Sequence, residues 1–124
     1  MINMKNGIII LGHGSKAPQA LETLQAVGTK VQQTMTGFKV EVASMEFNKP
    51  DIPEAVANLV NQGVNKIVVV PFFLYFGIHL QEDIPEILKE EKAKYPGVEI
   101  VMASNLGADI RLVDILLDRI KEVS

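Results

Sequence analysis

The sequence predicts an α/β protein: an open, parallel four-stranded sheet with helices on both faces, in the strand order 2-1-3-4. Two observations carry this. Four short apolar runs alternate with four stretches of helical periodicity, and a strand–helix–strand rhythm implies right-handed crossovers between parallel strands. Two of the apolar runs are continuous while the other two alternate with polar residues, which separates central strands from edge strands. The 124 residues contain no linker or low-complexity stretch, so 1–124 is expected to form a single domain. That length allows roughly two-thirds of the unfolded surface to be buried in one core.

The first strand is expected over Gly7 to Leu11, the second over Lys39 to Met45, the third over Lys66 to Val70 and the fourth over Val98 to Ala103. The first and third are runs of Ile, Val and Leu, as expected when helices cover both faces. In the second, Val40 and Val42 alternate with Lys39, Glu41 and Ser44, and Glu99 interrupts the fourth. Between the strands, Ala20, Leu24, Val27, Val31 and Met35 recur at steps of three and four, the stripe of an amphipathic helix. Ile52, Val56, Leu59 and Val60 form a second stripe. Ile84, Ile87 and Leu88 begin a third, and Ile110, Val113, Leu117 and Ile120 form a fourth. Asp-Ile-Pro-Glu occurs at 51–54 and again at 83–86. An Asp N-cap, a Pro in the first turn and a Glu at the third helical position explain both copies as helix starts without an internal duplication.

In the order 2-1-3-4 the chain reverses direction between the first and third strands. Open α/β sheets bind ligands outside the carboxyl ends of their strands at such a switch point. The chain has only two histidines, and each follows one of those two strands. His13 lies in Gly12-His13-Gly14-Ser15, and His79 in Phe76-Gly77-Ile78-His79. Imidazole suits both transition-metal binding and proton transfer near neutral pH. Glycines beside His13 permit positive φ and close approach of a ligand to the backbone, and the helix that follows presents free amides to an anion. Phe47, Phe72, Phe73, Tyr75 and Phe76 supply walls for an apolar cleft, although Phe72 and Phe73 also suit the core. Glu46 closes the second strand as a candidate for moving protons or recruiting a metal. Glu82 and Asp83 are candidates to orient the His79 ring, with a helix cap the competing role for Asp83. Lys16, Lys49 and Arg111 can contact an acidic ligand or stand in solvent.

Bulk composition excludes several classes. The net charge of −3 offers no basic footprint for nucleic acid. There is no cysteine, hence no disulfide, thiolate metal site or Cys nucleophile. The apolar stretch from Ile67 to Phe76 is broken by Pro71 and is too short to cross a bilayer, and a signal-peptide core is lacking, so a cytoplasmic location is expected.

Leu11-Gly12-His13-Gly14-Ser15, Met45-Glu46-Phe47, Val69-Val70-Pro71-Phe72-Phe73-Leu74 and Gly77-Ile78-His79-Leu80-Gln81-Glu82-Asp83-Ile84-Pro85 follow one another along the chain. Together they resemble the short sirohydrochlorin cobaltochelatases among the ATP-independent, class II tetrapyrrole chelatases. The resemblance runs over nearly the whole chain. It implies a chelatase-like fold and an enzyme, a lyase, that inserts Co²⁺, Ni²⁺ or Fe²⁺ into sirohydrochlorin, with Co²⁺ first, in cobalamin or siroheme biosynthesis. It implies that His13 and His79 bind metal or accept pyrrole protons and that Glu46 occupies an acidic site position. Gly12, Gly14, Ser15, Lys16, Phe47, Phe73, Tyr75, Phe76 and Gly77 are the expected substrate contacts. It further implies a homodimer, since the short members resemble one half of longer chelatases. Lys16 stands where an arginine is usual, retaining charge but not the bidentate fork. No Gly-x-x-x-x-Gly-Lys loop occurs, in keeping with chemistry that uses no ATP.

Rival readings are separable. A histidine phosphatase needs an arginine cluster, and the only arginines, Arg111 and Arg119, lie in the last helical stretch. A serine hydrolase needs a Gly-x-Ser-x-Gly elbow around Ser15. A flavodoxin-like flavin site calls for a hydroxyl-rich first loop, and Ser15 is the only hydroxyl beside His13. A non-catalytic tetrapyrrole or metal carrier would use the same pocket, and turnover separates it from a chelatase.

Overall fold

A computed structural model describes residues 5–124. The elements are β1 (Asn6–Gly12), α1 (Pro18–Thr34), β2 (Phe38–Ser44), α2 (Ile52–Asn61), β3 (Lys66–Pro71), α3 (Leu80–Lys94), β4 (Glu99–Met102) and α4 (Ile110–Glu122). The strands form one sheet in the order β2-β1-β3-β4, and every pairing is parallel. The order inferred from strand composition is thus the observed one.

Register divides the sheet into two faces. Ile9 aligns with Glu41 and Val69, Leu11 with Ala43 and Pro71, and Ile67 with Ile100. On this face Ile9, Leu11, Ile67, Val69 and Ile100 pack with Ile52, Val56 and Leu59 of α2 and with Ile84 and Leu88 of α3. Each such side chain contributes about 1.5–3 kcal/mol by leaving water. On the opposite face Ile8 and Ile10 pack with Leu24, Val27 and Val31 of α1 and with Val40 and Val42. Gly28 lets α1 approach closely, since a Cβ there would come 2.8 Å from Val42 Cγ1.

Two expectations need correction. The first concerns the repeated Asp-Ile-Pro-Glu. At 51–54 it is a helix start: Asp51 caps α2, accepting from the Glu54 amide (2.9 Å), while Glu54 Oε1 accepts from the Asp51 amide (3.3 Å). At 83–86 it is not. α3 begins at Leu80 with His79 as its N-cap, and Asp83 and Pro85 lie inside the helix. The amides of Glu82 and Asp83 both donate to the His79 carbonyl, so the first turn closes ahead of the motif.

The second concerns β3, expected to be covered on both faces. β1 is buried at every position from Gly7 to Gly12, but β3 alternates, with Val68 and Val70 only half-buried. The cause is α4, whose apolar stripe does not lie on this sheet. Among the described residues α4 has no buried side chain, and α1 alone covers the face that carries Val68 and Val70.

The α2 cap supplies a stability test. The Glu54 amide holds the Asp51 carboxyl below its ordinary pKa of 3.8, with Lys49 adding charge and burial opposing. A lowered folded-state pKa gives stability that is complete above about pH 3.8 and fades as pH falls through the lowered value. Asp51→Ala should therefore cost about 1 kcal/mol at pH 7 in urea melts. The gap to the parent protein should close in acid, and an unchanged gap at pH 2–3 (about 1–2 units below the ordinary carboxylate value) would assign the loss to something other than the charged cap.

Candidate active site

The loop after β1 is shaped by its neighbours. The Met45 amide donates to the Gly12 carbonyl (3.1 Å) and the Glu46 amide to the His13 carbonyl (3.2 Å), so pairing of β1 with the second strand's chain continues past both strand ends. Gly14 turns away at φ +93°. The Ser15 amide then donates to Asn48 Oδ1 (3.0 Å), and Ser15 Oγ accepts from the Ala17 amide (3.0 Å) just ahead of α1. Phe47 itself has φ +67°, an uncommon conformation for an aromatic residue, and it bends the chain so that Asn48 reaches Ser15.

These constraints bring His13 and Glu46 together. His13 Nδ1 lies 3.9 Å from Glu46 Oε1, and both side chains remain more than half exposed. At that separation the contact is electrostatic rather than a hydrogen bond. The edge of Phe73 meets the His13 ring at 5.6 Å between centroids, and Phe76 meets Phe73 at 6.0 Å, giving an aromatic file behind the imidazole.

His79 reaches the same place from the other side of the switch point. A cleft of about 450 Å³ is lined by His13, Met45, Glu46, Gly77, Ile78, His79, Leu80 and Asp83. Both histidines and Glu46 thus face one volume, reached from the ends of β1, β2 and the loop after β3. Asp83, the candidate for orienting His79, lines that cleft as well. A second cleft of similar size lies on the α1 side of His13, bounded by Gly12, Gly14, Ser15, Ser44, Asn48 and Phe72. His13 borders both.

The remaining expected contacts divide by position. Phe73 is buried and supports His13 from behind, whereas Tyr75 is 75% exposed and Phe47 60% exposed. Phe76 is partly buried against the core. Gly77 has open space where a Cβ would stand. Lys16 Nζ sits 5.4 Å above the Phe47 ring, beside the cleft. Lys49 is engaged elsewhere, 2.9 Å from Glu54 and 3.5 Å from Asp51. Arg111 forks onto Asp109 through Nε (2.8 Å) and NH2 (2.7 Å).

Ile78 and Asn48 are among the lining residues that the sequence did not announce. Ile78 is 82% exposed at the mouth of the cleft, and an isoleucine between Gly77 and His79 carries no signal of its own. Asn48 anchors the Ser15 amide; its place in an Asn-Lys-Pro turn was the available clue. Among the described residues no group of three or more His, Cys, Asp or Glu side chains is arranged to enclose a metal ion.

Along nearly its whole length the chain is similar to known proteins. The CbiX family profile matches residues 7–123. The sirohydrochlorin cobaltochelatase of Methanococcus aeolicus is 36% identical, over 92% of this chain and 96% of its own length. That of Saccharolobus islandicus is 38% identical over 94% of both chains. Among solved structures, the CbiX protein of Marinobacter aquaeolei VT8 superposes with a TM-score of 0.80 at 32% identity, covering 94% of this chain and 95% of that one. The sirohydrochlorin chelatase SirB of Bacillus subtilis subspecies spizizenii, solved in complex with cobalt, superposes at 0.90 with 28% identity; the match spans 97% of this chain but 51% of SirB. Parallel sheet, histidine-bearing switch point and sequence similarity agree, and the chain belongs to the CbiX family.

Proposed function

We propose that residues 1–124 form one chelatase domain that inserts a divalent metal, Co²⁺ in the first place, into sirohydrochlorin without ATP. The observation that carries this reading is the convergence of His13, His79 and Glu46 on one cleft at the sheet's switch point. Several relatives point the same way: the sirohydrochlorin cobaltochelatases named above each match over nine-tenths or more of their own length. The same reading has two identical chains working together in the cytoplasm. No helix of the described residues is long and apolar enough to cross a membrane.

Insertion requires two changes at the macrocycle: two pyrrole N–H protons leave, and the metal exchanges water for nitrogen ligands. Imidazole is a ligand of intermediate softness that holds Co²⁺, Ni²⁺ or Fe²⁺, and the nitrogen that gives up the metal can then accept a proton. In this proposal His13 and His79 present the metal from one side of the ring. The Glu46 carboxylate stands 3.9 Å from the His13 ring, on the side of the imidazole that faces it. The exposed apolar and aromatic side chains of Phe47, Tyr75 and Ile78 lie against the flat macrocycle, and Lys16 with the amides ahead of α1 receives its carboxylates.

The test is the visible spectrum of sirohydrochlorin mixed with Co²⁺ and a catalytic trace of protein. Conversion of many equivalents of substrate per chain is the expected result. A spectral change in proportion to protein would identify a carrier instead, and no change beyond the uncatalysed mixture would remove the function. Repeating the assay with Ni²⁺ and Fe²⁺ ranks the metals.

A further inference from the structure

We propose that Asn48 is a positioning residue of the site: its side-chain oxygen fixes a strained turn at Phe47, and that turn sets where the Glu46 carboxylate stands relative to His13. The inference rests on the metal-insertion reading above for what Glu46 does, but not for how Glu46 is held.

Residues 45–50 join β2 to α2 without a strand or helix of their own. Backbone bonds fix the two ends of this loop. The Met45 and Glu46 amides donate to the Gly12 and His13 carbonyls, and the Ser44 amide donates to the Pro50 carbonyl (2.9 Å). Between those points the Asn48 amide donates to the Glu46 carbonyl (2.8 Å) across Phe47, whose φ is +67°. A bond from one residue to the second before it, around a central residue of positive φ, marks the rare and strained kind of γ-turn. A bulky aromatic side chain stays in such a conformation only where its surroundings hold it there.

Asn48 supplies that hold. Its Oδ1 accepts from the Ser15 amide (3.0 Å), tying the loop after β2 to the loop after β1 at a half-buried position. Among the described residues no other side-chain hydrogen bond joins residues 45–50 to residues 13–17. Lys16 Nζ, 5.4 Å above the Phe47 ring, adds a second and solvent-exposed contact between the same loops. The Glu46 carbonyl is therefore fixed from two sides. It accepts from Asn48, and it lies so close over Gly14 that a Cβ there would fall on it.

This matters because the Glu46 side chain is not held by bonds of its own. It is more than half exposed, as is His13, and their 3.9 Å approach is electrostatic. Backbone placement sets that separation, and Asn48 is the side chain that fixes the backbone. Asn48 borders the cleft on the α1 side, whereas His13, Glu46 and His79 line the other one. It thus acts from behind the His13 loop, through Ser15 and Glu46.

Three full-length variants test this: Asn48→Ala, Asn48→Asp, and Asn48→Ala combined with Glu46→Gln. The first readout is amide hydrogen exchange of the protein without metal or substrate. Asn48→Ala should speed exchange at the Ser15 and Glu46 amides by about tenfold or more through local opening, while Ile9 and Ile67 stay as protected as in the parent protein. Asn48→Asp keeps the accepting oxygen and should hold both amides. The second readout is multiple-turnover insertion of Co²⁺ into sirohydrochlorin. There Asn48→Ala should lower kcat by about tenfold, within the roughly 10²-fold loss that a misplacement of about 1 Å can cause. In the Glu46→Gln background it should add little, as expected of one residue acting through another. Unchanged exchange at the Glu46 amide of Asn48→Ala would overturn the assignment whatever the turnover. So would losses that multiply fully in the double variant, protection lost in Asn48→Asp, or protection lost throughout β1 and β3, which would mark a general structural role. A parent protein that turns nothing over would remove the insertion reading alone, and the exchange rates would still decide whether Asn48 holds Glu46 in place.

Discussion

His13→Ala or His79→Ala should each lower the rate of metal insertion by about 10²–10⁴-fold, the usual contribution of a positioned acid–base group, while the melting temperature stays close to that of the parent protein. The separation of effects follows from exposure. The His13 side chain is 62% exposed, and His79 stands in solvent at the start of α3 without a side-chain capping bond. Neither fills a core position, so removing either opens no cavity. The double variant sharpens the test. If both imidazoles hold one metal, losing either already destroys the site, and the second removal costs little more, as expected for residues acting as a unit. If each has a separate task, the losses multiply. Near-normal turnover in either single variant would sink the assigned role of that residue. Glu46→Gln should give a smaller loss than either, because Glu46 acts through His13 at 3.9 Å rather than touching the metal in this scheme.

Why so much of this site was legible, and some was not, has physical reasons. Strand burial is written into side-chain chemistry: Ile8 to Leu11 are apolar on both faces and β1 is buried throughout, whereas Lys39 and Glu41 mark β2 as an edge. That difference orders the sheet, the order locates the switch point, and the switch point selects the two histidines. The same reasoning failed at β3. Its Ile67-Val68-Val69-Val70 run reads as doubly covered, but Val68 is only half-buried because α4 lies elsewhere. The start of α3 failed for another reason. Asp-Ile-Pro-Glu at 83–86 has the composition of a cap, yet Pro85 sits in the second turn, where it forgoes the hydrogen bond to the Gln81 carbonyl and its ring crowds that oxygen. Residues 77–79 carry no recognisable capping chemistry, so nothing in the sequence moves the start back to Leu80. Closeness of Glu46 to His13 was within reach only as an expectation, since it depends on Met45 and Glu46 continuing the pairing beyond β2.

Gly14→Ala should be the most damaging small substitution in the site. Two independent penalties coincide there. The residue has φ +93°, a conformation that L side chains rarely adopt, and holding a non-glycine residue in such a region costs on the order of 1–3 kcal/mol. In addition, a Cβ at this position would fall on the Glu46 carbonyl oxygen. Backbone cannot rotate aside as the end of a flexible side chain can, so the paired segments Gly12–His13 and Met45–Glu46 must separate. Opening breaks the bond from the Glu46 amide to the His13 carbonyl and moves Glu46 away from the imidazole. Gly77→Ala provides the contrast, for nothing lies within 4 Å of a Cβ built there. Gly14→Ala should therefore lower the urea midpoint by several-fold more than Gly77→Ala and lower metal insertion, in molecules that remain folded, at least as far as Glu46→Gln does. The informative comparison is the activity of the folded fraction at low temperature. A folded Gly14→Ala protein with parent-like turnover would mean that insertion does not depend on holding Glu46 beside His13. Loss of activity with the fold intact would tie the chemistry to the shape of this one loop.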